Sequence, residues 1–79
     1  MDILLFGITR DIIGAAVLHL TAAEPVKTVG DLRKWLTETY PEIGRLRSLA
    51  VAVNSEYAGD EVSITGNSEI ALIPPVSGG

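Results

Sequence analysis

The sequence predicts an α+β fold: a mixed sheet with one main helix packed on one face, and an extended C-terminal tail. Three observations predict it. Short apolar runs open and close the body of the 79-residue chain, at 2–7 and 70–73. One segment, from Thr28 to Pro41, has the apolar spacing of a helix together with a start and a stop signal. The element order is strand, strand, helix, strand, short strand, strand, which gives a mixed sheet crossed by one helix.

Each element follows from its residues. "DILLFG" (2–7) is apolar on both faces and reads as a strand covered on both sides. Ile3 and Leu5 share one face, Leu4 and Phe6 the other. "TRDIIGAA" (9–16) suits one helical turn ending at Gly14. Residues 16–20 form a second strand, with Leu18 and Leu20 opposite Val17 and His19. Thr28 is a natural N-cap, and Asp31 three residues on is placed to return the bond to its amide. Val29, Leu32, Leu36, Thr39 and Tyr40 then keep helical spacing, with Trp35 beside the stripe, until Pro41 stops the helix. Ile43, Leu46 and Leu49 anchor a connecting turn. "LAVAV" (49–53) is a third strand with small Ala on one face. "NSEYAGDEVSITGNSE" is rich in turn residues, with Tyr57 and Ile64 as its anchors. Ile70–Ile73 is the last strand, ended by prolines that cannot donate to a ladder. This is the β-grasp plan shared with ubiquitin, and by that analogy the first and last strands are central neighbours. The body spans 1–73 and the tail 74–79.

Composition bounds the function. Hydrophobic residues make up 47% of the chain, which argues against intrinsic disorder. Aromatics are only 5%, so the core must be aliphatic. A core this small is marginally stable alone, and a partner covering apolar surface would stabilise it. The net charge of −4 argues against nucleic acid or an anionic membrane as partner. No apolar run approaches the roughly 20 residues of a membrane span, and no secretion signal opens the chain. Cysteine is absent, so this chain holds no disulfide, thiolate metal site or nucleophilic thiol. Cytoplasm is the default expectation.

The side chains supply almost no catalytic inventory. His19 reads as a solvated strand residue; as a base it would need a nucleophile or orienting partner nearby. Glu56, Asp60 and Glu61 lie in an acidic loop, solvated surface or a hard-cation site. The internal glycines are scattered singly and form no phosphate cradle. Arg45 and Arg47 form either plain surface or a docking pair. Trp35 reads as helix packing in preference to a stacking platform. No metal ligand set and no stably bound cofactor is predicted.

The tail, "IPPVSGG", is the unusual feature. Two glycines last in a chain are expected by chance in roughly 0.5% of sequences. Pro74 and Pro75 favour extended geometry and aim the chain away from the body. Val76, Ser77, Gly78 and Gly79 then reach about 13 Å at most. Glycine lacks Cβ, so such an end enters a narrow channel. A frayed terminus is the bland alternative.

The tail after "SEIAL", the opening "ILLFGITRDIIG", the helix "TVGDLRKWLTETYP" and the strand and turn "AVAVNSEY" together resemble the small subunit of molybdopterin synthase, the MoaD-type sulfur carriers. The resemblance covers essentially the whole chain. One departure is "TGNSE", where the family more often has Asp-Gly-Asp-Glu at a turn.

The resemblance implies a carrier whose reactive group is the main-chain carboxylate of Gly79. An adenylyltransferase related to the ubiquitin activators would use ATP to adenylate it. Sulfide would then displace AMP and leave a thiocarboxylate. The tail, Pro74, Pro75, Val76, Ser77, Gly78 and Gly79, would insert into the large catalytic subunit, in a heterotetramer of two small and two large subunits. There it would give sulfur to cyclic pyranopterin monophosphate. Phe6, Tyr57 and Ile73 would pack against that subunit, and catalytic side chains would belong to it. Sulfur carriers for thiamine synthesis or tRNA thiolation share the chemistry. A ubiquitin-like modifier joined to lysine amines, or a plain interaction domain, is the reading of another class.

Overall fold

In the computed structural model, residues 1–20, 26–46 and 49–74 are described. β1 (Asp2–Leu5) leads through Gly7 into α1 (Ile8–Ile13), which ends at Gly14 in the left-handed region (φ 83°, ψ 21°). A single residue of that conformation is what glycine supplies at a helix end. β2 (Val17–His19) returns antiparallel to β1, with Ile3 opposite Leu18. The segment expected as one helical turn is thus a six-residue helix between the two strands.

α2 (Val29–Thr39) starts at Thr28, whose extended backbone lets its Oγ1 accept from the Asp31 amide at 3.1 Å. The returning bond lands one residue earlier than expected. Asp31 Oδ2 accepts from the Lys27 amide, also at 3.1 Å. Tyr40 leaves the helical region, as the residue before a proline tends to. Pro41 then opens α3 (Pro41–Gly44), so it both stops one helix and starts the next. The expected turn around Ile43 is this short helix, and Ile43 is buried.

β3 (Ala50–Val53) and β4 (Glu56–Tyr57) form a tight hairpin with Val53 opposite Glu56. Its two turn residues, Asn54 and Ser55, both have positive φ (51° and 71°). The Asn54 side chain accepts from the Glu69 amide at 2.9 Å, and the Asn54 amide donates to the Glu69 carbonyl. The loop beyond β4 is sewn to the start of α2. The Val29 amide donates to the Val62 carbonyl and the Ile64 amide to the Lys27 carbonyl. Ile64 is buried as an anchor, whereas Tyr57 is not.

β5 (Ile70–Ile73) completes a five-stranded sheet in the order β2-β1-β5-β3-β4. β5 runs parallel to β1 and antiparallel to β3, so the first and last strands are the central neighbours expected. Strand alternation puts Ile3, Leu5, Val51, Ile70 and Leu72 on one face, under Val29, Leu32 and Leu36 of α2. Leu18 and Val53 are half-buried against this core, and Thr39, expected on the stripe, is exposed. Burial of each such aliphatic side chain contributes about 1.5–3 kcal/mol. The helices leave the other face of the sheet uncovered, and that geometry creates the site below.

Candidate docking groove at the root of the tail

The uncovered face has a floor of small residues. Ala52 of β3 sits opposite Ala71 of β5, and Ala71 opposite Leu4 of β1. Larger side chains rise around them: Phe6, Tyr57 and Ile73, with Ser55 and Glu69 on the rim. Together these eight residues line an open groove of about 340 Å³. Small residues on the floor and large ones on the walls are what make it a groove. The alternation of "LAVAV" already put Ala on one face of the third strand. The matching Ala71 completes the floor.

Phe6 is 50% exposed and Tyr57 75% exposed. Full burial of a large apolar side chain contributes about 1.5–3 kcal/mol, and the exposed part of these two forgoes a share of it. A cluster of this kind on a small domain marks an interaction surface. Ile73 is half-buried on the groove wall and is followed directly by Pro74. The groove therefore ends where the tail begins. Phe6, Tyr57 and Ile73 line one groove, and Pro74 follows Ile73 at its end. Pro75, Val76, Ser77, Gly78 and Gly79 lie outside the described residues.

Phe6 is not a strand residue, as the reading of 2–7 had it. β1 stops at Leu5, because the Phe6 amide donates to Thr9 Oγ1 at 3.0 Å, and the Thr9 amide and hydroxyl both donate to the Phe6 carbonyl. With its backbone groups taken, Phe6 leaves the ladder. Gly7 follows with φ 55° and ψ −132°, a conformation essentially confined to glycine. A Cβ there would stand 3.0 Å from Pro74 Cγ. Ile8, the next residue, is 48% exposed. Thr9, Gly7 and Ile8 were not singled out from the sequence. The positive φ of Gly7 and the burial of Thr9 that give these residues their roles are visible only in the structure.

Elsewhere the chemistry is sparse. His19 Nδ1 lies 2.6 Å from Asp2 Oδ1 across the β1–β2 edge, and both side chains are exposed. Asp60 pairs with Arg33 at 2.9 Å. Among the described residues no group of three or more His, Asp or Glu is placed to hold a metal. Trp35 is half-buried on α2 and meets Tyr40 edge to face, with ring centroids 6.5 Å apart. Arg45 is exposed, and Arg47 lies outside the described residues. No described helix is long and apolar enough to cross a membrane.

Comparison with known proteins gives the family. The family described as ThiS matches residues 3–79, which takes in both the body and the two final glycines. The chain belongs to the ThiS family. A molybdopterin synthase sulfur carrier subunit of Dictyostelium discoideum is 36% identical over 80 residues, covering 98% of this chain and 93% of that protein. Among solved structures, small archaeal modifier protein 1 of Haloferax volcanii has a TM-score of 0.78 at 26% identity, covering 99% of this chain and 97% of that one. A member in the complex of subunits 1 and 2 of the molybdopterin-converting factor from Helicobacter pylori shares the fold, with a TM-score of 0.65 at 24% identity, covering 99% and 96%. The β-grasp plan read from element order is thus that of this ThiS-family chain.

Proposed function

We propose that this chain is the sulfur carrier subunit of a molybdopterin synthase. The observation that carries the reading is the groove of Phe6, Tyr57 and Ile73 opening at the root of the tail. A partner that buries these side chains receives the tail at the same time. The curated relative named as such a carrier supports the choice of partner, and the family match reaching residue 79 supports the role of the tail.

In this reading the working atoms are those of Gly79. Its carboxylate is a poor electrophile, because its negative charge repels a nucleophile. An adenylyltransferase joins the carboxylate to the α-phosphorus of ATP, and pyrophosphate leaves. Sulfide attacks the acyl carbon and expels AMP, and the product is a thiocarboxylate. The loaded tail then enters the large catalytic subunit and gives its sulfur to cyclic pyranopterin monophosphate, with water taking the sulfur's place on the acyl carbon so that the Gly79 carboxylate is restored. Gly78 and Gly79 pass where a Cβ would not. The body holds the tail and docks, while catalytic side chains come from the partners. ATP is a substrate of the activating enzyme and no cofactor stays with this chain.

A second reading, attachment to lysine amines as a protein modifier, is favoured by the likeness to small archaeal modifier protein 1. It uses the same adenylate with an amine in place of sulfide. Thiamine synthesis and tRNA thiolation are the other acceptors for a carrier of this chemistry.

Adding one residue after Gly79 tests the proposal. The extended protein should melt as the parent does and yield no thiocarboxylate with the activating enzyme, ATP and a sulfide donor. Gly78→Val should likewise fold and fail to transfer, because a β-branched side chain is stiff and bulky in a channel. Normal sulfur transfer by the extended protein would sink the carrier reading.

A further inference from the structure

Among the described residues, Thr9 is the one fully buried polar side chain. Its helix is only six residues long. Its hydroxyl is spent on a single neighbour. Oγ1 accepts from the Phe6 amide at 3.0 Å and donates to the Phe6 carbonyl, which also accepts from the Thr9 amide at 3.1 Å. Both backbone polar groups of Phe6 are therefore held by one residue. The side chain of Phe6 meanwhile stands half in water at the mouth of the groove.

The alternative available to Phe6 is visible in the register. Leu5 pairs with Leu72 across β1 and β5, so one further step would set Phe6 opposite Ile73 as another rung. Thr9 diverts the backbone before that rung forms. The chain turns at Gly7, which lies against Pro74, and the aromatic ring is left lining the groove with Ile73.

We propose that Thr9 is a positioning residue for partner docking: it clamps the Phe6 backbone so that the aromatic ring is presented in its binding orientation before the partner arrives. The proposal rests on the docking reading above and adds to it the residue that prepares the anchor. The physical benefit is preorganisation. Ordering a loose aromatic side chain and its backbone on binding weakens association, and a clamp already formed in the free protein removes that loss.

Titration calorimetry of molybdopterin synthase large subunit into Thr9→Val, Thr9→Ser, Phe6→Ala and the Phe6→Ala/Thr9→Val double variant tests it, with a melting curve for each. Thr9→Val keeps the shape of the side chain and removes the hydroxyl. It should bind about three- to tenfold more weakly, the scale of a hydrogen bond's net contribution. Thr9→Ser should bind as the parent does. In the Phe6→Ala background Thr9→Val should cost nothing further, because the clamp has no ring left to aim. A merely structural threonine would lower the melting temperature and leave the affinity of the folded protein unchanged, or would weaken binding equally in both backgrounds. Either result overturns the proposal. Should Thr9→Val fail to fold, Thr9→Ala replaces it, and exchange of the Phe6 amide proton gives an independent reading. That exchange should be faster in Thr9→Ala than in Thr9→Ser, and equal rates overturn the clamp. If Phe6→Ala itself binds normally while Phe6 amide exchange responds to Thr9 as expected, the clamp exists but the docking reading has failed, and the role proposed for Thr9 falls with it.

Discussion

Gly7 and Pro74 touch across the end of the sheet: the position of a Cβ on Gly7 lies 3.0 Å from Pro74 Cγ. The first tail residue thus leans on the one place in the β1–α1 turn where the chain has no side chain. Two constraints meet at Gly7. Its backbone (φ 55°, ψ −132°) is closed to other residues, and its missing Cβ leaves room for the proline that starts the tail.

Gly7→Ala should therefore do two things. It should lower stability by about 1–3 kcal/mol through backbone strain. It should also displace Pro74 and slow sulfur transfer more than unfolding accounts for. Gly14→Ala is the matched control. Gly14 also has positive φ (83°), but nothing lies within 4 Å of a Cβ there. That variant should lose about 1 kcal/mol and keep its transfer rate once folded. Urea unfolding beside a single-turnover transfer assay separates the two. Equal transfer rates in both variants would remove the link between Gly7 and the tail.

The groove and the core should respond in opposite ways. Leu72 is fully buried and its neighbour Ile73 lies on the groove wall. Leu72→Ala should cost about 2–5 kcal/mol of stability. Phe6→Ala should cost far less stability, because the ring is half exposed, and should weaken binding to the large subunit about tenfold or more, as interface anchors do. A sharp fall in melting temperature for Phe6→Ala with normal binding of the folded protein would return Phe6 to the core.

The β3–β4 hairpin carries strain that substitution can relieve. Asn54 accepts positive φ readily, whereas Ser55 at φ 71° stands where a two-residue turn usually has glycine. Ser55→Gly should stabilise the protein by about 0.5–1 kcal/mol, the relief being partly offset by the freer unfolded chain. Thermal unfolding checks this, and a lower melting temperature would show that the serine side chain contributes more than the strain costs.

Much of this is legible in the sequence alone. The spacing of Val29, Leu32 and Leu36 with Thr28 ahead and Pro41 behind defines α2 by period and capping, both local properties. Alternation in "ILL", "AVAV" and "IALI" assigns the faces, because a strand offers only two. The positions that escaped depend on contacts between distant or unusual residues. Phe6 reads as a strand residue because its apolar run continues, and nothing local announces that Thr9 will take its amide. Tyr57 looks like a loop anchor by its apolar bulk, yet β4 turns it out over Ala52. Gly7 looks like any loop glycine until Pro74, 67 residues on, is seen beside it.

In the proposed function, sulfur travels on the carboxyl end of Gly79. Intact mass measurement of the protein with its native end, after reaction with the activating enzyme, ATP and a sulfide donor, tests it most directly. The mass should increase by the replacement of one oxygen by sulfur, located by fragmentation at Gly79 and lost when the large subunit and cyclic pyranopterin monophosphate are added. An unchanged mass, or an increase located on any other residue, would contradict it.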